Sequence, residues 1–414
     1  MNVYLLFILL ALLGNLALEA AVALARLRSL GKKLPTEFMD VYSAGRYRHS
    51  QRYTRATTRL DLFRSSLMTS VVILFLLAGG FNRLDLVVRG FGYGPIVTGL
   101  VYTALLVLLS SLLGLPFSIY STFGIEERFG FNRTTPRTFI LDICRTAALT
   151  VVLGGPVLAL VFWFFDHGGP LAWLYCWLLI GLFILFVQFL APVLILPLFN
   201  TFTPLPDGEL RRFIVKYTRN QGFETNGIYV MDGSRRTRRP NAFFTGFGRF
   251  RKIVFFDTLM DRLSDLEIVT VLAHEMGHCK QGHILKMTGA NILQMGIMLF
   301  ILSLFLNNAG LAAAFRMEHV STYSSIIFFG FLYSPISTLL AIVFNIFSRR
   351  HEYEADAYAV RTLGCPEDLI SALKKLSKAN LVNLTPHPLD VFVNYSHPPV
   401  LDRIRAIREL AAGA

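Results

Sequence analysis

The sequence predicts an α-helical integral membrane protein with seven transmembrane helices and a small polar α+β lobe. Three observations carry that expectation. Of the 414 residues, 54% are hydrophobic, more apolar side chain than a water-soluble chain of this size readily hides. Seven stretches of about 18 or more residues are free of charge, apart from Glu19 in the first, and are long enough as helices to cross a hydrocarbon core. The charged residues gather between and after those stretches.

The predicted spans are 3–25, 65–82, 95–120, 147–165, 171–200, 287–306 and 322–347. The first begins "MNVYLLFILL" with no basic n-region, and "RLRSLGKK" follows it. It is therefore expected to stay as a helix rather than be removed as a signal peptide. The fifth carries Pro192 and Pro197 near its end, which predicts a kink or an early exit from the membrane. The net charge of +13 fits the positive-inside rule. With the N-terminus outside or lumenal, the basic loops 26–64 and 123–146, segment 201–286 and the tail from Arg349 all fall on the cytosolic side. The short loops 83–94, 166–170 and 307–321 fall on the other side and hold few Lys or Arg. Topology accounts for most of the charge. The denser cluster "GSRRTRRPN" (233–241) is expected to touch anionic headgroups or an acidic substrate. No aromatic-interleaved basic fold accompanies it, so nucleic acid is not expected as a partner. The four cysteines show no CxxC spacing and read as isolated, reduced thiols. Cys279 points about 100° away from His278 on a helix and is not read as a ligand.

The domain reading has four parts: a five-helix transmembrane region with cytosolic loops (1–200), the first part of the lobe (201–286), spans six and seven (287–347), and the second part of the lobe (348–414). The two lobe segments total about 150 residues, enough for one small core. Within the lobe, "PDGELRRFIVKYTRNQGF" predicts a helix with Leu210, Phe213, Ile214 and Tyr217 at helical spacing. "GIYVMD" and "KIVFFD" predict strands, and "NAFFTGFG" between them predicts an edge strand. "SDLEIVTVLAHEMGHCKQGH" opens on Ser264 and Glu267, a capping-box pair, and continues as a helix. "SRRHEYEADAYAVRTLG" predicts a further helix, stopped at Gly364 and Pro366.

The chemistry centres on "VLAHEMGHCKQGH" (271–283). His274 and His278 are four residues apart, one turn along a single helix face, so both imidazoles can reach one ion. Glu275 projects beside them. This is the HExxH arrangement of zinc hydrolases. A catalytic zinc takes a third protein ligand and keeps one position open. Glu352 in "HEYEAD" is the best candidate. Asp356 lies one turn further on the same face, placed to orient a ligand histidine. His351 is a rival third ligand, and Glu354 is assigned to the solvated far side. Zinc would lower the pKa of water toward about 7, and Glu275 would act as general base. "YSHPPVLDRIRAI" offers His397 and Arg403 as oxyanion donors. Taken alone, these two equally fit a surface histidine and one arginine of an amphipathic helix.

With these residues assembled, the chain resembles the type I CAAX prenyl endopeptidases, integral-membrane zinc proteases of the gluzincin class. The likeness runs through six blocks in order, from "LPTEFMDVYSAGRYRHSQRYTRATTRLDLF" through "IEERFGFNRTT", "RRPNAFFTGFGRFRKIVFFDTL", "LAHEMGHCKQGH" and "NIFSRRHEYEADAYAV" to "NYSHPPVLDRI". The resemblance implies one zinc held by His274, His278 and Glu352, with Glu275 as catalyst and Asp356 behind the ligands. It implies His397 and Arg403 as substrate or transition-state contacts. It makes the strand with Asn241, Ala242 and Phe243 the edge on which a substrate backbone pairs. It also implies seven helices enclosing a hydrated chamber, with the metal site facing inward near the cytosolic surface. The expected partners are the lipid bilayer and a peptide or protein substrate, prenylated at a CAAX-type C-terminus.

The chain lacks long polar insertions, which leaves general quality-control proteolysis of membrane proteins as an alternative. A site-2-type intramembrane protease would set its motif in an apolar spanning helix. Here that helix carries Asp265, Glu267, Lys280 and Gln281. A transport protein with a vestigial zinc site would place ionisable groups at mid-membrane. The spans hold mainly Gln188, Gln294 and Asn345, for which packing between helices is the ordinary role.

Overall fold

The computed structural model describes residues 2–223, 227–245 and 252–413. Among them are seven helices long and apolar enough to cross a membrane: Val3–Ser29, Ala44–Leu77, Pro95–Glu126, Pro136–His167, Gly169–Phe199, His283–Phe305 and Thr322–Leu363. All seven predicted spans are present, and most run longer than their apolar stretch. A helix does not end where its side chains turn polar; it ends where the backbone ladder is broken. The second starts at the Ser43 cap, 22 residues' worth of polar sequence before its apolar run, and stops ahead of Gly79 at φ 71°. Its predicted end at 82 overshoots that stop. Prolines are absorbed as wide π turns: Tyr120–Glu126 follows Pro116, Thr150–Gly154 precedes Pro156, and Ala191–Ile195 contains Pro192. The fifth span continues through that turn as far as Phe199.

The spanning helices meet along narrow seams. Only 6% to 22% of each span's most apolar window is buried against protein. A solid bundle, packed like a protein interior, would bury more. One seam joins the fifth and sixth helices, where Trp177 Nε1 donates to the Ile292 carbonyl at 2.7 Å. Gly296 lets the indole lie there, because a Cβ would stand 2.8 Å from Trp177 Nε1. Gln188 donates to Thr288 Oγ1 at 2.8 Å and Asn345 to the Val393 carbonyl at 2.9 Å, so both serve packing, as expected.

In the lobe, β1 (Phe202–Pro204), β2 (Ile228–Met231), β3 (Ala242–Thr245) and β4 (Lys252–Phe256) form one sheet of order β1-β2-β4-β3. β2 and β4 are parallel and the other pairs antiparallel. β4 is central, with Ile253, Val254 and Phe255 all buried, which explains its continuous apolar run. β3 is an edge, as expected; the Gly246–Gly248 part of that expectation lies outside the described residues. The helix Glu209–Asn220 buries Leu210, Ile214, Tyr217 and Thr218. Phe213, expected on the same face, is exposed. It lies one residue off the stripe that faces the lobe core.

The lobe core also takes in a segment the domain reading left in the membrane half. Phe38, Tyr42 and Tyr47 are buried in it beside Ile268, Leu272 and Met276. Tyr42 donates to the Ser377 carbonyl at 3.0 Å, and Glu37 pairs with Lys374 at 2.7 Å and with Arg408. A second difference concerns "HEYEAD". It is not a separate helix but the continuation of the seventh span, one helix of 42 residues. No Gly or Pro stands between Pro335 and Gly364, where φ reaches 67°, so nothing interrupts the ladder sooner.

The motif helix, Asp265–Lys280, starts with the predicted capping box: Ser264 N donates to Glu267 Oε2 at 2.8 Å and Glu267 N to Ser264 Oγ. Glu267 is buried and also accepts from Ser371 and Lys375. Burial alone would raise its pKa. The bonds from Lys375, Ser371 and the Ser264 amide outweigh that and hold it below the ordinary value. A depressed folded-state pKa contributes stability that is complete above about pH 4.3 and lost as pH falls through the folded value. Replacing Glu267 with Gln is expected to lower the thermal midpoint at neutral pH and to flatten its decline between about pH 5 and 3, measured on the detergent-solubilised protein.

Candidate metal centre and active site

Two helices build the site. The motif helix and the lobe end of the seventh spanning helix cross backbone against backbone, and Gly277 is the point of contact. A Cβ there would lie 2.9 Å from Ala355 Cα and 3.1 Å from the Ala355 carbonyl oxygen. The missing side chain lets the helices approach until the imidazoles of one meet the carboxylates of the other. His274 Nε2 is 3.2 Å from His278 Nε2. Glu352 Oε2 is 3.6 Å from His274 Nε2, and Glu352 Oε1 is 3.4 Å from His278 Nε2.

Behind this group, His274 Nδ1–H donates to Asp356 Oδ1 at 2.8 Å, which leaves Nε2 bare toward Glu352. Arg403 grips Asp356 with Nε at 2.8 Å and Nη2 at 2.7 Å, and its Nη1 lies 3.3 Å from Glu352 Oε2. Burial of Arg403 opposes its charge, but the Asp356 carboxylate beside it outweighs that, and the guanidinium stays protonated. Burial likewise lowers the His274 pKa and the bond to Asp356 raises it, for a net rise. Glu275 is pushed up, chiefly by burial, while His274 and His278 pull the other way. A carboxyl group raised in this manner is a better proton acceptor than an exposed one.

The residues fit a bound metal. Donors about 2.0–2.1 Å from one tetrahedral ion stand roughly 3.3 Å apart, and the spacings above run from 3.2 to 3.6 Å. Glu352 Oε2 is buried and, apart from the 3.3 Å ion pair with Arg403 Nη1, has no hydrogen-bond partner among the described residues, which leaves it free to accept a metal ion. The donor set of two imidazoles and a carboxylate is one that zinc takes in catalytic sites.

A cavity of about 230 Å³ opens on this group, lined by His274, Glu275, Glu352, His397 and Arg403 on one side. Asn241 and Ala242 line it from the end of β3. Phe243 does not; its ring packs edge-on against Phe256. The apolar wall is Val271, Leu369, Leu373 and Leu376, which no motif singled out because single leucines on an amphipathic helix look the same whether they face a core or a pocket. His397 sets Nδ1 2.9 Å from Glu352 Oε1, and its side chain is 66% exposed. His351 is not at this centre: it stacks on His283, with ring centroids 4.0 Å apart. Glu354, expected on a solvated face, bonds His283 at 3.0 Å.

The basic cluster also differs from expectation. Arg236 pairs with Asp142 through two bonds of 2.8 and 3.0 Å and reaches Asn200. Arg239 binds Glu126 and Tyr53 and lies 4.2 Å from the Phe131 ring centroid. Two of the four arginines are thus committed inside the protein; Arg235 and Arg238 are exposed.

Comparison with known proteins agrees with this geometry. Residues 25–201 match the family described as CAAX prenyl protease N-terminal, five membrane helices, and residues 204–411 match Peptidase family M48. The chain is 35% identical to CAAX prenyl protease 1 homolog of Arabidopsis thaliana, over 90% of each chain. It is 33% identical to CAAX prenyl protease 1 of Saccharomyces cerevisiae, over 91% of this chain and 88% of that one. The crystal structure of Ste24p from S. mikatae superposes with a TM-score of 0.93 at 29% identity, covering 98% and 99% of the two chains.

The Gly277 contact can be tested directly. Gly277→Ala must force the helices apart, because its neighbour is backbone and cannot rotate away. The expected result is a protein less stable by about 1–3 kcal/mol with bound metal reduced at least in proportion to the misplaced donors. Gly289→Ala, with nothing within 4 Å of its Cβ, should change neither. Elemental analysis and thermal unfolding of the two variants make the comparison.

Proposed function

We propose a reaction for this chain from one premise: it belongs to peptidase family M48 and is an integral, multi-pass membrane metalloendopeptidase. The observation that carries the proposal is the convergence of His274, His278 and Glu352 at one point, with Glu275 on the wall of the same cavity. His274, His278 and Glu352 would hold one zinc. A zinc bound there supplies Lewis acidity, which acidifies water and polarises a carbonyl.

The chain's own groups do the rest. Glu275 takes a proton from the attacking water as its oxygen adds to the peptide carbonyl, and returns it to the nitrogen as the C–N bond breaks. His397, with Nδ1–H on Glu352, lines the cavity, and as the imidazolium it donates its second N–H to the oxyanion. Arg403 acts by holding Asp356 and Glu352, so it is a positioning residue rather than a direct substrate contact. Asn241 and Ala242 lead into β3, whose outer edge is unpaired among the described residues and is offered to an extended substrate backbone. The apolar wall accepts an apolar side chain beside the scissile bond.

The relatives are named CAAX prenyl proteases, which supports a protein ending in a prenylated CAAX sequence as the substrate; the cut proposed for it lies just beyond the prenylated cysteine. The lobe and both lobe-facing loops are basic, which supports a cytosolic side for the site by the positive-inside rule. The thinly packed spans support a hollow interior through which a lipid-bearing chain end reaches the site.

Glu275→Gln is expected to keep zinc and lose turnover by about 100-fold to 10,000-fold, whereas His274→Ala should lose the metal itself. Wild-type turnover surviving in Glu275→Gln would remove the general-base role. For the substrate, purified zinc-loaded protein would be given matched farnesylated and unmodified peptides ending in CAAX, with cut sites mapped by mass spectrometry. Preferential cleavage after the farnesylated cysteine is expected. Equal cleavage of both peptides would instead mark a general peptidase at the membrane boundary.

A further inference from the structure

Three side chains beside the metal centre take no part in the reaction above. His283, His351 and Glu354 bring donor atoms within 4.8 Å of one another. His283 is 3% exposed and Glu354 32%. The chain turns sharply after the motif helix at Gly282, with φ 68°, and the next helix begins on His283. That turn brings His283 back under His278, and His278 Nδ1 lies 3.0 Å from His283 Nδ1. On its far side, His283 Nε2 lies 3.0 Å from Glu354 Oε2.

With His283 buried and therefore neutral, the protons along this line have a single consistent arrangement. Glu354 as a carboxylate only accepts, so His283 Nε2 carries the hydrogen. A neutral His283 then presents a bare Nδ1, so the hydrogen between the two rings belongs to His278 Nδ1. His278 Nε2 is therefore bare and faces His274 and Glu352. This is the tautomer that a metal ligand requires. His274 obtains the same result from Asp356 in one step.

We infer that His283 and Glu354 are positioning residues that fix the tautomer and ring plane of His278, a second line of support for the metal centre opposite the one from Asp356. The inference rests on the ligand assignment proposed above. The line is itself anchored. Arg350 Nε donates to Glu354 Oε1 at 3.1 Å, Gln281 Nε2 donates to the Glu354 carbonyl at 2.9 Å, and the His351 ring lies over His283 at an interplanar angle of 11°. The same geometry argues against a second metal ion at these three residues. Both His283 nitrogens are already engaged, and parallel stacked rings direct their in-plane lone pairs side by side rather than toward one point.

The test is the zinc affinity of the full-length protein, read by competition with a colorimetric chelator, together with zinc per chain and the thermal midpoint of the metal-free form. Wild type should bind one zinc. His283→Leu and Glu354→Leu should each weaken binding about 10-fold or more. Glu354→Gln keeps an oxygen that accepts from His283 Nε2–H and should recover most of the loss, which a purely steric role for Glu354 would not produce. If His283→Leu fails to fold, the partly exposed Glu354→Leu and Glu354→Gln pair decides the question. Affinities within twofold of wild type in both Leu variants would overturn the inference. So would two zinc ions in wild type with one lost in His283→Leu. His274→Ala distinguishes the levels: if it retains zinc, the ligand assignment fails and this inference with it. If it loses zinc while the Leu variants keep theirs, only this inference fails.

Discussion

The site depends on a place where a side chain is missing. Gly277 lets two helices touch through their backbones, and every distance between the imidazoles and the carboxylates follows from that approach. His274 and His278 stand on one helix, Glu352 and Asp356 on the other. Neither helix holds a complete donor set. Buried ionisable groups are costly unless paired, and here each helix brings the charge that the other lacks. Arg403 completes the arrangement from a third helix near the end of the chain. Packing of the lobe core and assembly of the chemistry are therefore one event: Ala273 and Met276 are buried in the same turns that carry the imidazoles.

The position of β3 has a similarly distributed origin. The chain leading into it is tied to the membrane half at several points. Arg133 N donates to the Arg236 carbonyl at 3.0 Å, Arg238 N to the Phe131 carbonyl at 3.0 Å, and Arg236 and Arg239 hold Asp142 and Glu126. Thr258 Oγ1 caps the Arg239 carbonyl at 2.9 Å from the lobe side. The edge that faces the cavity is thus located jointly by membrane-side and lobe-side groups. Half of a basic run that looks like a surface patch in one dimension is an internal brace in three.

Much of this was legible from one dimension, for reasons that differ by residue. The spans were visible because hydrocarbon demands apolar length. His274, Glu275 and His278 were visible because helical periodicity alone brings i and i+4 together. Glu352 and Asp356 were visible by spacing, yet their helix was misjudged as separate, since hydropathy records where lipid ends and says nothing of where a backbone ladder ends. His283 and Glu354 were not assigned a role. A turn at Gly282 folds His283 under its neighbour, and sequence spacing carries no record of that reversal. Phe38, Tyr42 and Tyr47 were overlooked because a short loop segment between spans gives no periodic sign that it plugs a distant core. The apolar pocket wall was hidden for the opposite reason, its leucines having the same pattern as any buried face.

The unbroken seventh helix sets a scale as well as a position. Its 42 residues extend about 63 Å at 1.5 Å per residue, more than twice the thickness of a hydrocarbon core of about 30 Å. Glu352 rides on the same rod that is seated in the lipid, so its height above the membrane is fixed in units of one residue. Adding or deleting a residue between Asn345 and Glu352 would shift that height by only about 1.5 Å but would swing the carboxylate by about 100°. The rod therefore tolerates substitution along its length far better than any change in length. Evolution can alter what this protein cuts by reshaping the cavity wall, but the depth at which it cuts is locked to the helix.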